Sequence, residues 1–183
     1  MDYTVIKSKR KTRALQIKGE MLIVRAPHKM SEREIERFVT EHSEWIEKHL
    51  AISKKREEEA RAVEALGERE IAELTVRAKK KIPERVAYYA DILGVSYGKI
   101  TVRRQKSRWG SCSSKGNLSF NIALLLAPDE ILDSVVVHEL CHRKHMNHSA
   151  AFYAEIARVM PDYKARHAWL KQNGTALMNR VAR

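Results

Sequence analysis

The chain has 183 residues, with 35 Lys and Arg against 23 Asp and Glu, a formal net charge of +12. That length buries one good core with at most a small appended lobe and excludes a multidomain machine, while Cys112 and Cys141, without paired spacing, exclude a disulfide framework and fit a reducing compartment. The positive surface attracts nucleotides, nucleic acids or acidic proteins without choosing among them.

Lys7, Lys9, Arg10 and Lys11 stand where a signal peptide would place its apolar core, and no run approaches the ~18 apolar residues of a membrane span. A cytoplasmic protein without membrane attachment is expected. Residues 3–6, 14–17 and 21–24 are short runs rich in strand formers, with Lys18-Gly19-Glu20 as a turn, and predict a small antiparallel sheet ended by Pro27. Ser31 and Glu34 form a capping box opening a helix whose apolar positions are Ile35, Phe38, Val39, Trp45, Ile46 and Leu50. Trp45 is expected in the core, and the spacing of His28, His42 and His49 makes none of them a ligand. From residue 53 to 70, opposite charges three and four apart predict an exposed helix bridging two lobes. Pro83 interrupts or begins the next helix, residues 84–93, which turns Val86, Tyr89 and Leu93 inward and stops at Gly94. Residues 99–105 alternate as a strand, with residues 118–123 as the partner. Between them Trp109 either plugs the core, with Gly110 and Gly116 shaping a hairpin, or stands near the site beside Arg108 for stacking.

Pro128-Asp129-Glu130 is a good first helical turn, with proline early and acids at the positive end. The apolar run that follows, Ile131-Leu132 and Val135-Val136-Val137, leads into His138-Glu139-Leu140-Cys141-His142. Residues four apart on a helix advance about 6 Å along its axis, so His138 and His142 project from one face and can share an ion. Zinc takes imidazole nitrogens in a tetrahedron, and a catalytic site keeps one position open for water. Glu139, beside the first histidine, is placed to accept that water's proton. On a straight helix His148 would lie about 15 Å from His138, too far to share the ion, so a third ligand at His148 requires the chain to turn first. Asn147 could end the helix in a left-handed conformation, and Ser149 is a plausible cap for the next. His145 and Glu155 are the rival third ligands. After Ser149, residues 150–160 predict a helix with Phe152, Ile156 and Val159 on one side, broken at Pro161-Asp162-Tyr163 before a final helix. Tyr163, Arg166, His167 and Arg108 are candidate donors to a developing oxyanion, while Cys112 and Cys141 read as inert packing residues.

Residues 108–113 (Arg-Trp-Gly-Ser-Cys-Ser), 116–121 (Gly-Asn-Leu-Ser-Phe-Asn) and 124–128, the histidine motif, Asn147-His148-Ser149 with Phe152, and Pro161-Asp162-Tyr163-Lys164 together resemble the YgjP-like metal-dependent hydrolase family. The likeness is close over residues 100–170. That family is grouped with zincin-type metallopeptidases and is similar in its core to SprT-like and minimal gluzincin proteases. The resemblance implies an α+β fold: a zincin-like core with the HExxH helix beside an antiparallel strand pair, preceded by a small N-terminal β-sheet and helices. It implies Zn2+ held by His138, His142 and His148, Glu139 as catalytic acid and base, and a strand on the cleft rim where a peptide can lie as an added strand. Many relatives carry strand content where residues 60–81 here are charged and helical in character.

The expected organisation is residues 1–75 as an N-terminal antiparallel sheet plus charged helical region, and residues 76–183 as the zincin-like metal-binding catalytic domain. Arg108, Trp109, Tyr163 and His167 are the expected substrate-binding residues. The expected function is a zinc-dependent hydrolase, first of all a metallopeptidase that cleaves peptide bonds with zinc-activated water and Glu139 as general base. Pyrophosphate hydrolysis of nucleoside triphosphates at the same site is the alternative that the resemblance permits and the basic surface favours. A DNA-associated protease or nucleic-acid-binding module is a third. The expected partner is a peptide or protein substrate, a nucleotide or nucleic acid is compatible with the charge, and the sequence leaves the oligomeric state open.

Overall fold

Three strands open the chain, β1 (Tyr3–Ser8), β2 (Ala14–Lys18) and β3 (Met21–Pro27). The computed structural model describes residues 2–182, and the chain divides into two compact units, Met1–Ala62 and Val63–Arg183. In the first unit β3 is central. It runs antiparallel to β2 across the turn at Gly19, whose φ of 62° glycine adopts without steric cost, and parallel to β1. The sheet is therefore mixed, where an antiparallel one was expected. The basic connection at residues 9–13 lacks hairpin-turn chemistry, so β1 pairs with the far edge of β3 instead of with β2.

Ser31 caps α1 (Glu32–Thr40) as expected: its backbone N–H donates to the Glu34 carboxylate at 2.8 Å, and Glu34 N–H donates back to its hydroxyl at 3.3 Å. The helix stops there, and α2 (Ser43–Arg61) begins after a break at Glu41 and His42. The break resets the helical phase. Ile46 is fully buried with Leu22, Val24, Ile35 and Phe38, while Trp45 is 40% exposed and stacks on His49 at 4.1 Å, so the expectation of a core Trp45 is corrected. The charged stretch is likewise two helices and not one bridge, because α2 ends at Arg61 and α3 (Glu68–Leu93) starts where the Gly67 N–H donates to the Glu70 carboxylate.

The second unit carries the site. α3 continues through Pro83, at which the sequence predicts that a helix is interrupted or begins. Proline removes one backbone donor, but Ile71, Leu74, Ala78, Ile82, Val86, Ala90 and Leu93 bury a continuous stripe at helical spacing that outweighs that loss. Gly94 ends the helix in the left-handed conformation, φ 64°.

A second sheet follows, built of β4 (Ile100–Arg103), β5 (Gly110–Cys112) and β6 (Leu118–Asn121) in the order β4-β6-β5. The expected partners β4 and β6 do pair, but in parallel, and the antiparallel pair is β5 with β6. The stretch between β4 and β6, read as a loop, is long enough to carry the third strand, and that strand takes the sheet edge. After a 3-10 turn at Ile122–Leu126 come α4 (Asp129–Cys141), α5 (Ala150–Val159) and α6 (Tyr163–Val181).

α4 is the central helix, packed against α3, α5, α6 and β5, with Ile131, Leu132, Val135, Val136, Val137 and Leu140 all buried. Its one buried acid away from the site, Asp133, is held by α3: Arg85 donates to both carboxylate oxygens at 2.7 and 2.8 Å, and the Tyr89 hydroxyl donates at 3.1 Å. A carboxylate taken from water is tolerated when bidentately paired, so this clamp fixes the helix that carries the histidines.

Candidate metal centre

α4 ends at Cys141, with His142 as its C-cap, so the first two histidines of the motif sit on the last turn of a rigid buried helix. Residues 142–149 are non-helical, and the chain turns back before α5. The turn is made earlier than Asn147 and without it: no described residue other than glycine has a positive φ, so Asn147 does not act as the left-handed terminator. Ser149 does cap α5, its hydroxyl accepting from Phe152 N–H at 3.4 Å. The turn brings His148 back to the helix end, with Nε2 of His148 3.1 Å from Nε2 of His138.

Among the described residues, His138, His142 and His148 form the group that could hold a metal ion, with ligand nitrogens all within 4.8 Å of one another. Tetrahedral zinc at about 2.0–2.1 Å from each nitrogen needs them about 3.3 Å apart, so small rotations of the rings suffice. The second ring nitrogens of His138 and His142 are engaged. His138 Nδ1 lies 2.8 Å from the Tyr163 hydroxyl and His142 Nδ1 lies 3.1 Å from the His145 carbonyl oxygen. With Nδ1 donating to those oxygens, Nε2 of each ring is left with a free lone pair, the tautomer a metal needs. Phe152, fully buried, packs against all three rings with centroids 4.7–5.0 Å away. Burial holds the His138 imidazolium far down, at a pKa of about 3, with His142, His148 and His167 adding to the effect. Burial also lowers His142, against the pull of the His145 carbonyl. Both are thus neutral imidazoles, and the donor set fits zinc.

Neither rival ligand belongs to the group of three. His145 contributes its carbonyl oxygen, and Glu155 accepts from Lys144 at 2.8 Å and from Arg158 at 2.9 Å, which hold its carboxyl down at about 2. Burial pushes the Cys112 thiol up, helped by the neighbouring Glu139 and opposed by Arg143, and pushes Cys141 up to about 12. Neither sulfur is a ready thiolate.

Glu139 is 6% exposed, and its burial raises the carboxyl to about 7. It faces β5 at very short range: a Cβ built on Gly110 would stand 2.7 Å from Glu139 Oε1 and 2.8 Å from Cγ. The strand backbone passes over the carboxylate where no other residue fits. Asn121 secures that strand from below. Its backbone N–H donates to the Trp109 carbonyl at 2.8 Å, and its buried side-chain amide donates to the carbonyls of Gln105 and Arg108 at 2.8 and 2.9 Å.

Two pockets share Arg108, Gly110, His138 and Glu139. One, of about 330 Å³, adds Ser111, Cys112, His142, Met146 and His148. The other, of about 220 Å³, adds Trp109, Ser134, Val135, Tyr163, His167 and Leu170. All four expected substrate-binding residues therefore lie at the site, Arg108 and His167 exposed and Trp109 and Tyr163 half-buried. Tyr163, one of the candidate oxyanion donors, has its hydroxyl 2.8 Å from His138 Nδ1. Arg166 turns away, donating to Asp162 and to the Glu130 carbonyl. Sequence reasoning missed the closeness of Gly110 to Glu139 and the Tyr163–His138 bond, since both are contacts between distant segments without a local pattern.

A buried helix ending in two imidazoles, a third folded back onto them and an edge strand alongside define an α+β metallopeptidase-type core with a three-histidine group that could hold a metal ion. The chain belongs to the YgjP-like family: its residues 11–73 and 54–173 match the YgjP-like metallopeptidase domain. No curated protein matches it. Among solved structures it is similar to the metallopeptidase zymogen abylysin of Pyrococcus abyssi, at 25% identity and a TM-score of 0.45 over 49% of this chain and 92% of that one. It is also similar to the zymogen jannalysin of Methanocaldococcus jannaschii, at 22% identity and a TM-score of 0.46 over 51% of this chain and 97% of that one. No helix among the described residues is long and apolar enough to cross a membrane.

Proposed function

We propose that the protein is a zinc-dependent peptidase in which His138, His142 and His148 bind the metal and Glu139 is the general base. The observation that carries this reading is the unpaired edge of β5, which lines the same pocket as the three histidines and Glu139. An extended peptide can add there as a further strand, its backbone amides paired with β5 and its scissile bond over Glu139.

Zinc bound by the three imidazoles would polarise the scissile carbonyl and lower the pKa of a water molecule toward ~7. Glu139 takes that water's proton on its carboxylate as the carbonyl is attacked and returns it to the leaving amine nitrogen. Burial raises the Glu139 carboxyl in the metal-free site, and a cation held by the neighbouring imidazoles would favour its carboxylate form, the form that accepts the proton. Gly110 keeps the carboxylate in place from above, and Tyr163 and the His145 carbonyl keep the imidazoles aimed. Arg108, exposed at the mouth of both pockets, is free to meet a substrate carbonyl or carboxylate. The same exposed guanidinium is what favours the second reading, hydrolysis of a nucleoside triphosphate.

The two are separated by incubating zinc-loaded wild type and Glu139→Gln with unfolded protein and nucleoside triphosphates, with products read by mass spectrometry. New peptides made by the wild type alone are expected. Nucleoside monophosphate and pyrophosphate without peptides would transfer the function to nucleotides. Glu139→Gln should bind zinc normally and lose turnover by ~10²–10⁴-fold.

A further inference from the structure

The smaller pocket beside Glu139 has an apolar side facing away from the metal site's residues. Val135, Leu170 and the Trp109 indole line it. Its polar side is the wall shared with the metal site, His138 and Glu139, while the Ser134 hydroxyl donates to the Ile131 carbonyl at 2.7 Å and the Tyr163 hydroxyl lies 2.8 Å from His138 Nδ1. The charged groups, Arg108 and His167, are exposed at its rim. A volume of about 220 Å³ equals the share of about seven liquid waters at ~30 Å³ each, which is room for a branched aliphatic chain or a single aromatic ring.

One wall of this pocket is set by a residue outside it. Gly174 is buried in the interior of α6, where glycine costs roughly 0.5–1 kcal/mol relative to alanine. Its backbone conformation does not ask for glycine, because the described glycines with positive φ are Gly19, Gly94 and Gly116. What asks for it is Trp109: a Cβ at position 174 would stand 2.7 Å from Cζ2 of the indole, 3.3 Å from Cε2 and 3.4 Å from Nε1. Glycine lets the indole approach the helix backbone more closely than a side chain would allow.

We infer that this pocket binds a branched aliphatic or aromatic side chain next to the scissile bond, and that Gly174 is a positioning residue that sets its size by seating Trp109. This rests on the peptidase reading for its substrate, but the pocket and its wall can be tested by binding alone. A methyl at 174 must move the indole by several tenths of an ångström, and the wall of the pocket moves with it.

The test is calorimetric titration of the zinc-loaded protein with alanine, leucine, phenylalanine and tryptophan hydroxamates, which share a metal-binding head and differ in side chain. Wild type should bind leucine or phenylalanine hydroxamate about tenfold or more tighter than alanine hydroxamate, as differences of this size in an apolar pocket allow. Gly174→Ala should lose most of that preference while keeping zinc stoichiometry and the alanine hydroxamate affinity, a change of ranking that general loosening of the fold would not give. Trp109→Phe removes one ring from the wall and should shift preference the other way, toward tryptophan hydroxamate, so the inference stays testable if Gly174→Ala fails to fold. An unchanged ranking in both variants, or no side-chain preference in the wild type, overturns the inference. Failure of the wild type to take up zinc would overturn it together with the metal site. Wild type that ranks the hydroxamates as expected but releases no peptides from unfolded protein would support the pocket and overturn the peptidase reading alone.

Discussion

Replacing Gly110 by alanine tests whether the placement of Glu139 matters as much as its chemistry. The three atoms nearest a Cβ at 110 all belong to Glu139, at 2.7, 2.8 and 3.0 Å. Ordinary contact begins near 3.4 Å, so the carboxylate or the strand must give way by about 0.7 Å. The strand cannot readily move, because β5 pairs with β6 and the Trp109 carbonyl is tied to Asn121. Misplacement of a catalytic group by ~1 Å costs about 10²-fold, so Gly110→Ala should retain one tenth to one hundredth of wild-type kcat. None of the three nearest atoms belongs to a histidine, so zinc should bind as in the wild type. The assay is peptide release from unfolded protein, run beside chelator competition for zinc and thermal unfolding. Zinc affinity within twofold and an unfolding temperature within about 4 °C, the shift that ~1 kcal/mol produces, would locate the loss at Glu139. Full turnover by Gly110→Ala with zinc bound would refute the reasoning, because it would mean that the close approach of β5 to the carboxylate has no catalytic consequence.

Tyr163→Phe deletes the hydroxyl 2.8 Å from His138 Nδ1 and should weaken zinc binding by ~10–100-fold by chelator competition, with an unchanged affinity counting against a role in aiming the ring. His148→Ala should lose zinc under the same conditions, whereas His145→Ala, which keeps the backbone carbonyl used by His142, should hold it; the reverse result would reassign the third ligand. Glu155 gives a pH dependence of stability. Its folded pKa, depressed from 4.5 to about 2 by Arg158 and Lys144, makes the carboxylate stabilising above about pH 4.5, and that contribution fades as pH falls toward 2. Partly solvated cations hold the contribution to about 1 kcal/mol. Urea unfolding of the metal-free protein should therefore show Glu155→Gln weaker than wild type at pH 7 and the two converging near pH 2, and a constant gap would exclude the linkage. Arg85→Met should destabilise the fold by roughly 2–3 kcal/mol, since it strands the Asp133 carboxylate at 7% exposure, and a neutral effect in the same assay would show that Tyr89 alone satisfies it.

Much of the site was legible in the sequence because its logic is local. The four-residue spacing of His138 and His142, the acid between them, the proline and acids that open α4 and the serine that caps α5 depend only on helix geometry and neighbouring backbone, so a linear reading finds them. By length alone, His148 needs a turn to reach His138, and the turn is made without the left-handed Asn147 that the sequence offered for it. The same local rules misled where the chain broke its own periodicity. Trp45 shares a helical stripe with Ile35 and Phe38 only if one helix spans them, and the break at Glu41 and His42 turned it outward. Pro83 marks a boundary by its chemistry, yet the buried stripe of α3 runs through it.

Only the tertiary structure decided the rest. Strand order made β5 an edge beside the histidines, because pairing in β-sheets joins segments that periodicity cannot link. Packing of α6 against α4 brought Tyr163 to His138, and close approach assigned Gly110 to Glu139 and Gly174 to Trp109. A glycine in the sequence states a permission and not its reason. The reason is the atom that fills the space its missing side chain leaves, and that atom belongs to a residue far away along the chain.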